Sequence, residues 1–328
     1  MSVAIVPPDP TAPGLCREWL APFHVDARLT LSVHRHGGGD PAYRVDAAGA
    51  IWRTSLTPEG PATLRVVSLS RPPAGVLERR GTLITGQAWG PGAGWLLETL
   101  PAQVGAQDDP SGFTARHAVV GELVLRHPGL RVGRTGRVFE ALVPAVLEQK
   151  VVGHEAHRAW RYLLRTFGEA APGPAPAGMR VCPPPRVWAR IPSWEWHRAG
   201  VEGVRARTII TAAGVATRLE QVLDPGSGSD SAEADRLLRS LPGIGIWTSA
   251  EIRQRAAGDA DAVSVGDYHL AKAVGWTLTG QITDDAGMLE LLAPYAGHRY
   301  RVTRLIELGG RLPPRRGPRM PIRDYRSF

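Results

Sequence analysis

Between Leu241 and Leu270 the chain reads LPGIGIWTSAEIRQRAAGDADAVSVGDYHL, a stretch whose glycines, aromatics and acids fall at spacings that could do chemistry. Gly243 and Gly245 allow a tight backbone turn where a Cβ would clash. Helical patterns flank them at Ser231–Ser240, opened by an Asp230/Glu233 capping signal, and at Trp247–Ala257. Amides at the start of the second helix are left bare, and its dipole favours an anion. Gly243, Gly245 and Thr248 could thus hold a phosphate without a basic side chain. Gly-x-Gly alone reads more readily as an ordinary helix–turn–helix connector; LPGIG between two helices is far more specific. Asp267, 22 residues after Gly245, is the one acid in VSVGDYHL. An aspartate there could simply cap the next helix, or it could be a fixed carboxylate beside a developing positive charge.

Two aromatics stand near these groups. Trp247 and Tyr268 offer faces that attract cations, and each could equally be packing. Glu251, one turn beyond Trp247, could pair with a cationic ligand, although a solvent-facing carboxylate is the simpler expectation. His34-x-His36 lacks acidic or thiol companions nearby, so no metal site is expected. Gly90-Pro91-Gly92-Ala93-Gly94 lacks the register of a dinucleotide loop.

Composition narrows the classes. The 328 residues carry 39 basic and 31 acidic side chains, a net charge of +8, and 43% are hydrophobic. That share excludes wholesale disorder, and no apolar run of about 18 residues offers a membrane span. Cys16 and Cys182 cannot form a disulfide framework, a four-thiolate zinc site or an iron–sulfur cluster. With no secretory signal at the N-terminus, a reducing cytoplasm is expected. Of the basic residues only Lys150 and Lys272 are lysines, and neither follows a glycine, which excludes a Walker phosphate loop. The surplus charge lies late: residues 298–328 hold nine arginines against Glu307 and Asp324. Such a segment suits a polyanion or is a solvated basic tail.

The elements that must carry these residues fall into two parts. Val25, Ala27, Leu29, Leu31 and Val33 alternate with polar residues, predicting a half-buried strand. Further strands are expected at Ala50–Leu56, Ala62–Leu69 and Gly81–Ala88, and helices at Trp95–Val104 and Thr114–Arg126. The expectation is an α+β unit, an antiparallel sheet with helices, over residues 1–120. An all-α region follows over 121–310, and a basic tail over 311–328. A nearly continuous helical pattern covers Val138–Phe167, with Pro144 expected to kink or start it. Helices are also expected at Val187–Gly200 and Ala206–Leu223.

VLEQKVVG, LPGIGIWTS and VGDYHLAK together resemble the helix–hairpin–helix DNA glycosylase superfamily, specifically its 3-methyladenine DNA glycosylase II branch, over residues from about 125 to 310. The β-rich first third is similar to that branch's N-terminal domain only in type and position. The resemblance implies a hairpin gripping DNA phosphate, a catalytic carboxylate at Asp267, and Trp247 and Tyr268 in a pocket for a flipped base. It implies that Lys150 fills the gap left by that base, and that Gln149 contacts the opposite strand. Bifunctional relatives carry a lysine at the position of Trp247. Without that amine no Schiff base forms, so hydrolysis alone is expected. Glu251 stands where close relatives have an aromatic, which leaves the lesion open. The implied partner is double-stranded DNA, bound by a monomer. No resident cofactor is implied beyond a monovalent cation on hairpin carbonyls. A non-catalytic damaged-DNA binder, or a glycosylase for an oxidised or deaminated base, remains the alternative.

Overall fold

A computed structural model describes residues 5–6, 14–69, 81–222 and 230–314. Its first part is one six-stranded antiparallel sheet. The strands are β1 (Ile5–Val6), β2 (Leu15–Ala21), β3 (Tyr43–Val45), β4 (Ile51–Thr57), β5 (Gly60–Leu69) and β6 (Thr82–Trp89), in the order β1-β2-β6-β5-β4-β3. Alternation of apolar and polar residues made β4, β5 and β6 legible, and Thr57–Gly60 closes a tight β4–β5 turn with Gly60 at φ +125°. The helix Ala93–Gln103 lies on this sheet, burying Leu96, Leu97 and Leu100 against Leu64, Val66 and Ile84. Gly86 permits that approach, since a Cβ there would stand 2.5 Å from Leu100 Cδ2.

The strand expected over Val25–Val33 is instead a short helix, Ala27–Leu31, followed by a 3₁₀ turn over Ser32–His34. Asp26 decides the matter: its Oδ1 accepts from the Leu29 amide at 2.9 Å, an N-cap that extended backbone does not offer. Five alternating residues are too few to separate the two periods once a cap competes.

Among the described residues the remainder is helical except for a two-residue pairing of Glu169–Ala170 with Arg180–Val181, which is tied to the sheet by Thr54 Oγ1 donating to Arg180 O at 2.6 Å. Its helices form two cores. One gathers around Val138–Leu147, where every residue except Glu140 is buried, and includes Trp160, Leu163, Trp188, Ile209, Leu238, Ile244 and Ile252. Glu140 binds the sheet instead, accepting from Ser55 Oγ at 2.6 Å and from Arg53 Nη2 at 3.4 Å. The other joins Ala118–Arg126 to Leu270–Thr279, Asp285–Leu292 and Arg299–Gly309 through Leu123, Val274, Met288, Val302 and Ile306. Among the described residues no helix is long and apolar enough to cross a membrane.

The expected helix over Val138–Phe167 is two helices, Val138–Leu147 and Gly153–Phe167. Pro144 sits inside the first without starting it. The break falls at Lys150, whose φ is +54°, and its neighbours are held elsewhere: Glu148 by His36 and Gln149 by the glycine turn. The patterns over 187–200 and 206–223 likewise each divide in two.

Candidate active site

The glycine turn joins the helices Ser231–Arg239 and Ile246–Ile252. The predicted cap is present, Asp230 Oδ1 accepting from the Glu233 amide at 2.7 Å. Side chains fix the angle between the helices: Asp235 Oδ1 accepts from Ser249 Oγ (2.7 Å) and from Arg253 Nη2 (3.4 Å). Gly243 adopts φ +88°, and a Cβ on it would lie 2.0 Å from Thr208 Oγ1; Gly245 faces open space. The first amides of Ile246–Ile252 have no partners within their own helix, as at any helix start.

Gln149 braces the turn from the break between the two central helices. Its Nε2 donates to Gly243 O at 2.9 Å and to Thr248 Oγ1 at 2.8 Å. Thr248 is only 2% exposed, so its hydroxyl faces Gln149 and not a phosphate; an anion there could use only backbone amides near it. Gln149 is thus committed to the hairpin, while Lys150 stands exposed beside it.

Asp267 closes the other side. Oδ1 accepts from the amides of His269 (2.8 Å) and Leu270 (2.9 Å) at the start of Leu270–Thr279, so the capping role is real. Oδ2 accepts from Trp247 Nε1 at 3.3 Å. One carboxylate therefore locks its own helix and reaches across to the helix after the hairpin. Tyr268 is 72% exposed, with Lys272 Nζ 4.2 Å from its ring centre, and sits on the outer surface beside the carboxylate.

Glu251 departs from the solvent-facing expectation. Its side chain is 12% exposed, pairs through Oε2 with Arg255 Nη1 at 2.7 Å, and accepts through Oε1 from Ser264 Oγ at 2.5 Å. Its charge is already matched within the protein. Arg255, Ser264 and Gln254, which donates to Ala262 O and Ser264 Oγ, are the residues that sequence reasoning missed. The Glu251/Arg255 spacing of four on a helix was the available signal.

The late arginines are partly spent internally. Arg299 holds both oxygens of Asp261, Arg301 both of Asp108, and Arg304 pairs with Glu307 at 3.0 Å. The arginines from 315 onward lie outside the described residues.

The sheet-bearing unit followed by helices is the fold of solved structures described as DNA glycosylases. The 3-methyladenine DNA glycosylase of Archaeoglobus fulgidus superposes with a TM-score of 0.68 at 17% identity, covering 88% of this chain and 97% of that one. The 8-oxoguanine glycosylase/lyase of Clostridium acetobutylicum gives 0.66 at 10% identity over 94% of this chain and 98% of that one. In sequence the chain is similar to the AlkA branch. It is 34% identical over 156 residues to a Mycobacterium tuberculosis protein described as a probable bifunctional transcriptional activator/DNA repair enzyme AlkA. That match covers 48% of this chain and 30% of the longer relative. No protein-family model matches the chain.

Proposed function

We propose that the protein is a monofunctional DNA glycosylase that hydrolyses the N-glycosidic bond of damaged bases, alkylated purines foremost, in duplex DNA as a step of base excision repair. The observation that carries this is the carboxylate of Asp267 held against the indole of Trp247 at the end of the glycine hairpin. The fold and the partial AlkA likeness support it.

Hydrolysis breaks the bond between C1′ and the base nitrogen, the electron pair leaving with the base, while a water oxygen bonds to C1′ and its surplus proton passes to solvent. Positive charge builds on the sugar before the water arrives. A carboxylate oriented in advance by two backbone amides and an indole stabilises that charge without reorganising. Trp247 offers its ring face to a cationic base. The hairpin amides and Gly245 grip the phosphate, with Lys150 at the gap in the stack. In this reading residues 121–310 are the catalytic unit, residues 1–120 support it, and residues 311–328 are a basic tail. The protein works as a cytoplasmic monomer on double-stranded DNA. It carries no resident cofactor. A monovalent cation on hairpin carbonyls fits the residues present, because Gly243 O keeps a lone pair beyond the one facing Gln149. Trp247 in place of an amine supports hydrolysis without strand cleavage.

The test is incubation with dimethyl-sulfate-treated duplex and measurement of free bases. The protein releases alkylated purines and leaves the strand intact; Asp267→Asn releases none while retaining DNA affinity. Unchanged release by the variant sinks the assignment. One observation favours a non-catalytic lesion binder: both oxygens of Asp267 already have partners. Binding without release on a panel that adds oxidised and deaminated bases would select that reading.

A further inference from the structure

We infer that Glu251 and Ser264 form a strut that positions Asp267 against Trp247. The inference rests on the glycosylase reading for its kinetic consequence, but its geometry stands alone.

Glu251 and Trp247 share one helix, four residues apart, so their side chains rise from the same face. Ser264 begins the turn that presents Asp267, since the Asp267 amide donates to Ser264 O at 3.2 Å. The Ser264 hydroxyl donates to Glu251 Oε1 at 2.5 Å and accepts from Gln254 Nε2 at 3.0 Å. Ser264 is 5% exposed and Gln254 is 4% exposed, so this junction is dry. Behind it, Arg255 binds Glu251 through Nη1 and the Val33 carbonyl through Nε at 3.0 Å, anchoring the strut to the segment that leaves the first helix. The helix carrying the indole and the turn carrying the carboxylate thus meet twice, once at Trp247–Asp267 and once at Glu251–Ser264. Two contacts fix a relative orientation that a single 3.3 Å bond leaves free to swing. A carboxylate matched by Arg255 is also a poor counter-ion for a cationic base, so Glu251 acts through Asp267 and not on the substrate.

The experiment uses the full chain with Ser264→Ala, Ser264→Thr and Glu251→Gln. Base release is measured under single turnover on dimethyl-sulfate-treated duplex, with binding to the same duplex measured separately. The Trp247 indole N–H resonance is followed as well, assigned by its disappearance in Trp247→Phe. Ser264→Ala slows release by about ten- to a hundredfold, the range expected for a small displacement of a catalytic group. DNA affinity stays within about twofold, and Ser264→Thr, which keeps the hydroxyl, restores the rate. Glu251→Gln retains an acceptor for Ser264 and slows release less than Ser264→Ala does. An unchanged rate in Ser264→Ala, or a rate that falls only in step with affinity, overturns the strut. If the parent protein releases no base, the glycosylase reading fails and the resonance decides the strut: it shifts in Ser264→Ala if the strut holds, and stays in place if it does not.

Discussion

The indole of Trp247 donates to the carboxylate oxygen of Asp267 that the following helix does not use. The bond spans 20 residues of sequence and helps tie the two helical cores together. Replacing Trp247 by Phe keeps an aromatic face and deletes only the donor. A hydrogen bond to a charged acceptor contributes about 1.5–3 kcal/mol, so base release should slow by about tenfold or more. Affinity for undamaged duplex should not change, and single-turnover rates beside binding isotherms check both.

The two glycines of the turn should separate. Gly243→Ala places a Cβ against Thr208 in a left-handed backbone, and should cost about 1–3 kcal/mol in urea unfolding. Gly245 has φ −95° and open space around it, so Gly245→Ala should leave stability within about 0.5 kcal/mol. Its new methyl group projects from the face proposed to meet phosphate. DNA affinity should therefore fall for Gly245→Ala although the fold is intact.

Arg301 should matter for stability and not for DNA. It is 5% exposed and holds both oxygens of Asp108, which is equally buried from water. Truncation to Ala leaves that carboxylate unpaired inside the protein, a loss of about 3–5 kcal/mol. The salt dependence of DNA binding should keep its slope, because the slope counts only cations that face phosphate. A reduced slope would show that Arg301 reaches the DNA.

Stability should fall on mild acidification. Burial, with Arg53, Arg255, His36 and Arg304 adding like charge, holds the His34 imidazole well below its ordinary value. It stays neutral in the folded protein, while the unfolded chain takes up a proton near pH 6.5. Stability is thus complete above about pH 6.5 and declines as pH drops from there towards the folded value. His157 and His298 are also lowered, burial first, so they share the effect. The urea midpoint should fall between pH 7.5 and 5.5, and His34→Gln should make that fall shallower.

Much of this architecture could be read from local pattern. The β4–β6 meander, the Asp230 cap and the hairpin between two helices each depend on residues near one another in the chain. Glu251 could not be placed that way, because its outcome depends on Ser264, supplied by a turn 13 residues on, and on an arginine anchored to Val33. The partners of Arg299 and Arg301 escaped for the same reason. Asp108 and Asp261 neutralise Arg301 and Arg299 from distant segments, so counting charge along the sequence overstated what is free. The false strand over Val25–Val33 failed on a single competing side chain, Asp26.

Lys150 is the one non-glycine with positive φ among the described residues. For an L-residue that conformation costs about 1–2 kcal/mol, and the cost falls on folding, long before any duplex is met. The exposed bend between the central helices is therefore shaped in advance, so under the proposed function a duplex would meet it already formed. Lys150→Gly would relieve the strain and lose that readiness together, leaving a softer bend between the two helices.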